Sequence, residues 1–352
     1  MPEAVLAGLA GLSPVPHSRP THGRAEAEAV AAVVASGQWA GGRLVEELER
    51  RLAERAGVPF AVCVGSGLGA LRLALRAVGV GAGDRVAVPA YACVALANAA
   101  SNLGAEPVPV DVEPGTWNLD PAAAARAGAR AAIAVHTFGC RAAVDAIRNA
   151  AGATIEDCAH AFGLPGLGAG GDAAILSFYA TKLIGADRGG AVLTRSAEIA
   201  AAVRAHRDYT DRPADGGRLN DLMTDVSAAI VLCQLDRLDQ LLADRARLAR
   251  RYTELLGGVT HALRLPLETG DRAWYRYAVE LVGGAAASDV VAELERVGIR
   301  AAEPVHDWRP PGAPCTPVAD HAYRTLLSLP LYPTLTTAEQ DRVVDAVLAH
   351  CG

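Results

Sequence analysis

FAVCVGSGLGALRLALRAVGVGAGDRVAVPA (60–90) reads as strand, turn, helix, turn, strand. FAVCV (60–64) is apolar at every position, as in a strand buried on both faces. LGALRLALRAVG (68–79) places Leu71, Leu75 and Val78 on one helical face. RVAVPA (85–90) is a second apolar strand. Two such strands around one amphipathic helix predict a sheet that is mainly parallel and covered by helices on both sides.

The same alternation extends outward in both directions. GRLVEELERRLAERAG (42–57) has helical spacing ahead of the first strand. After it, EPVPVDV (106–112), AAIAVHTFG (131–139), ATIEDC (153–158), AAILSFY (173–179) and AVLT (191–194) read as strands, with helices at 95–104 and 144–152. From Thr224 to Leu256 the pattern is one long helix. YRYAVELV (275–282) reads as a strand, 287–299 as a helix, and TTAEQDRVVDAVLAHC (336–351) as a closing helix. The expected organisation is an N-terminal extension (1–14), a large α/β domain (15–244) and a smaller α+β domain (245–352).

Composition narrows the function classes. The chain has 352 residues, 51% hydrophobic and 20% charged, which suits a folded core and not a disordered segment. Net charge is −6 and no basic stripe occurs, which argues against a nucleic-acid partner. The seven Cys show no CxxC spacing and the nine His show no metal-ligand spacing, so reduced thiols, a cytoplasmic location and no metal are expected. No apolar run is long enough for a membrane span. The first 14 residues lack a basic n-region, so a signal peptide is not expected. The Arg of RAHRDYTDRP (204–213) read mainly as a solvated face.

Three strand ends carry candidate chemistry, and ligands of open α/β sheets gather at such ends. VGSGLGAL (64–71) turns from strand to helix through glycines, and free N–H groups there suit a phosphate, although an ordinary βα turn has the same sequence. Asp157 ends a buried strand, where a carboxylate needs a specific partner or caps a helix. His160 follows, able to stack on a flat ring or to serve as a structural hydrogen bonder. Lys182, in SFYATKLIGADRGG (177–190), is the only lysine among 33 Lys and Arg. Arginine supplies charge equally well, but only lysine readily gives up its proton and forms an imine. An anion cradle, a strand-end acid and an imine-capable amine together describe a pyridoxal 5′-phosphate (PLP) site.

With these residues in place, the chain resembles the DegT/DnrJ/EryC1/StrS-type aminotransferases, PLP enzymes of fold type I. The resemblance runs from about Val15 to the C-terminus. It rests on SGQWAGG (36–42), residues 66–91, EPVPVDVEPGTWNLDP (106–121), IEDCAHAFG (155–163), SFYATKLIGADRGGAVLT (177–194), residues 218–239 and LSLPLYPTLT (327–336). It implies that Lys182 binds the cofactor aldehyde and that Asp157 pairs with the pyridine nitrogen. His160 would contact the ring. Gly67, Leu68 and Gly69, with Ser177, would hold the phosphate. Asn220 would reach the phosphate of a neighbouring subunit, so a homodimer with shared sites is implied. Cys93 stands where many members place a stacking aromatic, Leu68 replaces a frequent Thr, and Asp187-Arg188 replaces Gly-Glu. Leu222 replaces a common Arg, and Ser227 a common Gln. Trp39, Tyr91, Tyr179 and His306 are substrate-side candidates by position, each with an alternative reading as packing or loop anchoring.

The expected reaction moves an amino group from glutamate or glutamine to a keto sugar, nucleotide-linked, in amino-sugar or specialised metabolism. A cyclitol or other ketone is the alternative acceptor. A non-catalytic regulatory or binding protein on the same scaffold is the third reading, opposed by the intact Lys182 and Asp157.

Overall fold

The structure, a computed structural model, describes residues 13–210 and 218–351. Most of the expected 1–14 extension and the end of the Arg-rich 204–213 segment lie outside these residues.

The large sheet has seven strands. They are β1 (Phe60–Val64), β2 (Arg85–Pro89), β3 (Glu106–Val110), β4 (Ala131–Val135), β5 (Ala153–Asp157), β6 (Ala173–Ser177) and β7 (Gly190–Thr194), in the order β1-β7-β6-β5-β4-β2-β3. Strands β2 to β6 run parallel, and β7 runs antiparallel to both β1 and β6. The register sets Val135 beside Asp157, Asp157 beside Ile175, and Ser177 beside Gly190. The carboxyl ends of β4, β5 and β6 therefore come level, which is what brings distant motifs together.

Helices cover both faces, as the apolar strands require. On one face pack α1 (Arg24–Ser36), α2 (Arg43–Ala56) and, later in the chain, Asp225–Leu235 and the first turns of Leu238–Leu256. Leu48, Leu52, Phe162, Phe178 and Val231 meet there. On the other face lie α3 (Gly67–Ala77), α4 (Ala95–Ser101) and Ala197–Arg207, with Leu71, Leu75 and Val203 in the core. Each such leucine contributes about 1.5–3 kcal/mol on burial. The remaining layer helices are α5 (Pro121–Ala127) and α6 (Val144–Ala150), which makes Ala197–Arg207 α7, Asp225–Leu235 α8 and Leu238–Leu256 α9.

Two local expectations change. The 224–256 pattern is two helices, because the chain breaks at Asp236-Arg237, where Arg237 leaves helical geometry (ψ 17°) and its guanidinium bonds Thr21 O and Glu26. The 131–139 strand ends at Val135. His136 to Gly139 instead turn, with Phe138 at φ 53°, a left-handed conformation unusual for a bulky residue.

A second sheet follows: β8 (Leu263–Arg264), β9 (Tyr277–Leu281) and β10 (Leu326–Leu329), antiparallel in the order β10-β9-β8. With α10 (Ala287–Arg296), α11 (Pro317–Thr325) and α12 (Thr337–Cys351) it surrounds its own core of Tyr252, Tyr277, Leu294, Val343 and Val347. Val15 joins this core and bridges Ile299. The expected 244/245 boundary falls inside α9. Leu238 and Leu241 of that helix belong to the first core, and Leu248 and Tyr252 to the second. We propose that α9 is the link between two domains.

Candidate active site

A cavity of about 250 Å³ opens at the carboxyl ends of the parallel strands, and Gly67, Ser177, Asp157, His160 and Lys182 line it. These residues come from three sequence segments spread over more than 100 positions of chain.

Helix α3 begins at the cavity. Ser66 caps it, its hydroxyl accepting from Gly69 N–H at 2.9 Å. The turn is packed too tightly for side chains. A Cβ on Gly67 would lie 2.7 Å from Ser177 Cβ, and one on Gly190 would lie 2.5 Å from Ser66 O. Glycine at both places lets the end of β6 and the start of β7 press against the helix N-terminus, where unpaired N–H groups and the helix dipole favour an anion.

Asp157 is buried at the end of β5 and accepts from Ala159 N–H at 2.9 Å. Burial pushes its carboxyl up; the Ala159 hydrogen bond and the Lys182 charge oppose this without cancelling it. Such a carboxylate is short of a cationic partner. His160 is half-buried, and its buried Nδ1 lacks a hydrogen-bond partner among the described residues. Burial, then the charges of Lys182 and Arg276, holds its imidazole well below 6.5, so the ring is neutral. It stacks on Tyr275, centroids 4.0 Å apart and planes 11° apart.

Lys182 sits half-buried on the loop after β6. Its N–H donates to Tyr179 O at 2.8 Å, and Gly185 N–H is fixed by Gln234 Oε1 at 2.8 Å. Its ammonium lies 4.9 Å from the centre of the Tyr275 ring. Burial opposes ionisation of Tyr275, but Lys182, Arg276 and a Thr181 hydrogen bond outweigh it and bring the phenol down to about 8.

Behind Asp157, on the other side of its strand, His136 Nε2 donates to Glu156 Oε1 at 2.9 Å, while His136 Nδ1 accepts from Ala142 N–H. Glu156 also accepts from Gly168 and Gly170 N–H. Burial raises its carboxyl, but these bonds prevail and hold it below the usual range. Cys158 Sγ lies within 4.8 Å of both groups, yet they already satisfy one another, so the trio reads as a structural brace for the strand end.

The other expected residues divide. Leu68, Cys93, Tyr91 and Tyr179 line the cavity, Cys93 and Tyr179 exposed, Tyr91 buried with an unpartnered hydroxyl. Gly69 is not on the lining. Its N–H serves Ser66, and its Cα faces the Asp221 carboxylate. Trp39, Asn220 and His306 are exposed and do not line the cavity of this chain, although His306 follows Val305, which does. Ser227 donates to Asp187 at 2.6 Å, so these two departures from the family pattern form one local pair. Sequence reasoning missed Phe138, which lines the cavity, and Tyr275, which backs His160. Phe138 was hidden in an apparent strand, and nothing in AWYRYAV marks Tyr275 as a site residue.

These features fit PLP. The helix N-terminus offers N–H groups and Ser177 a hydroxyl for its phosphate, Asp157 offers a buried carboxylate lacking a cation for its ring nitrogen, and His160 offers a neutral flat ring. The fold and site define a PLP-dependent aminotransferase of fold type I. The chain belongs to the DegT/DnrJ/EryC1/StrS aminotransferase family, whose model matches residues 20–348. It is 34% identical over 334 residues to the GDP-perosamine synthase of Caulobacter vibrioides, covering 87% of this chain and 90% of that protein. Among solved structures, DesV of S. venezuelae superposes with a TM-score of 0.84 at 32% identity, covering 92% of this chain and 94% of DesV. DesI, solved with its TDP-sugar product, superposes with a TM-score of 0.90 at 27% identity, covering 99% and 96%. Among the described residues no helix is long and apolar enough to cross a membrane.

Proposed function

We propose that this enzyme transfers an amino group from glutamate or glutamine to the carbonyl of a nucleotide-linked keto sugar. The convergence of Lys182, Asp157 and the α3 N-terminus on one cavity carries the reading. The sugar acceptor is supported by the names of the relatives, a GDP-perosamine synthase and an enzyme holding a TDP-sugar.

When bound, PLP supplies an electron sink that lets the amine's α-C–H bond break and the nitrogen pass to a carbonyl. The chain supplies the rest. N–H groups at Gly67 and Leu68 and the Ser177 hydroxyl bind the phosphate. Asp157, short of a cation, keeps a proton on the pyridine nitrogen. His160, backed by Tyr275, supports the ring face. Lys182 would hold the cofactor's aldehyde and would serve as the base that takes the Cα proton and delivers it to the cofactor's former aldehyde carbon. Tyr91 and Phe138 exclude water from the inner wall. We further propose a homodimer, with exposed Asn220 of each chain completing the other's phosphate site.

Incubation with ¹⁵N-glutamate, ¹⁵N-glutamine and a panel of keto acceptors tests the reading. Label is expected in a nucleotide amino sugar. Label only in cyclitol amines would replace the acceptor, and label in no acceptor would refute amine transfer to a ketone.

A further inference from the structure

Behind Tyr275, away from the large cavity, lies a second one of about 20 Å³, lined by His17, Ser18, Thr181, Arg245, Tyr275 and Arg276. That volume accommodates one occupant of about the size of a water molecule. Among the described residues its wall carries two guanidiniums and no carboxylate. Arg245, 5% exposed, donates only to the backbone carbonyls of Trp274, Tyr275 and Leu331, at 3.5, 3.2 and 3.1 Å, and its Nε has no partner. Arg276 donates to His17 Nε2 at 2.9 Å. Burial, with the Arg276 charge, drives the His17 imidazole down to about 3, so that ring is a neutral acceptor. Neither guanidinium has an acidic partner among the described residues. Two cations that face one small space without an acidic partner, Arg245 of them buried, favour a counter-anion.

We propose that this cavity binds one small monovalent anion, and that chloride has the size and charge it takes. A water would fill the space but leave both charges uncompensated. Among the described residues Tyr275 is the only acidic group on the wall, and below about pH 8 it is neutral. The site therefore matters most below that pH. It adjoins the ring on which the Lys182 ammonium rests, so an anion here offsets the cations that face Tyr275.

Holoenzyme crystals transferred to bromide test this directly. An anomalous peak between Arg245 and Arg276 is expected, and its absence overturns the proposal. In solution, holoenzyme near pH 6.5 is expected to melt about 2 °C higher in chloride than in gluconate of equal ionic strength. The difference should shrink near pH 9.5, where the Tyr275 phenolate supplies the negative charge. Arg276→Gln should lose the chloride effect. Equal melting in both salts, or an undiminished chloride effect in Arg276→Gln, counts against the site. If that variant does not fold, the bromide crystal still decides.

Discussion

At the scale of single residues, Asp157 is costly to the fold, and the proposed chemistry is what calls for it. Its carboxyl is raised by burial, so the folded apoprotein holds that proton more tightly than the unfolded chain does. The sign of the linkage follows: with this group alone, stability is full below the unfolded value near 3.8 and declines as pH rises through the raised folded value. Asp157→Asn in cofactor-free protein should therefore raise the melting temperature at pH 7, with the gain vanishing toward pH 3.5. Calorimetry at both pH values checks this, and a lower melting temperature at pH 7 would contradict it. In the holoenzyme the same change should cut amine transfer by at least about 100-fold and weaken cofactor retention, because a neutral amide cannot hold the ring proton. A substitution that stabilises the chain while disabling it is the signature of a functional residue.

At the scale of elements, Asp225 shows how the site's framework is pinned. It starts α8, yet its buried carboxylate accepts from Gly42, Leu44 and Val45 N–H at 2.7, 3.0 and 3.3 Å, capping α2 across the layer. Asp225→Ala should cost about 2 kcal/mol, read as a lower urea midpoint with unchanged slope, and Asp225→Asn should recover part of it. A midpoint unaltered by the alanine would show the cap to be unimportant. Gly190→Ala should be at least as harmful, because its Cβ would meet Ser66 O, which is backbone and cannot swing aside. Loss of phosphate-turn geometry should appear as weaker cofactor binding.

Such contacts also mark what the sequence conveys. The βαβ alternation and the positions of Gly67, Asp157 and Lys182 at or just beyond strand ends are local facts, written in runs of apolar residues and glycines. The break at Arg237, drawn out by Thr21 and Glu26, depends on residues some 200 positions away. The stacking of Tyr275 behind His160 depends on how a second layer docks. Phe138 at positive φ is held by a turn whose His136 is fixed by Glu156. None of these has a local periodic signal.

At the scale of the whole molecule, the proposed homodimer makes a quantitative claim. Lys182→Ala and Asn220→Ala chains should each be inactive or nearly so. Mixed and allowed to exchange, half the dimers are hybrids, and each hybrid has one site with both residues native. Activity should recover to about a quarter of the unsubstituted level. No recovery despite demonstrated exchange would mean that Asn220 serves its own chain's site or none. The link through α9 and the anion cavity beside Arg245 both lie between the large-sheet layer and the second sheet, so changes there should move stability before they move substrate choice.

Underlying all three scales is the proposed covalent role of one amine. Because the chain has a single lysine, borohydride reduction of the PLP-loaded enzyme followed by peptide mapping gives an unambiguous reading. The account predicts one pyridoxyl label, on the peptide containing Lys182. A label confined to the N-terminal amine, or none on protein that retains the cofactor, would contradict it.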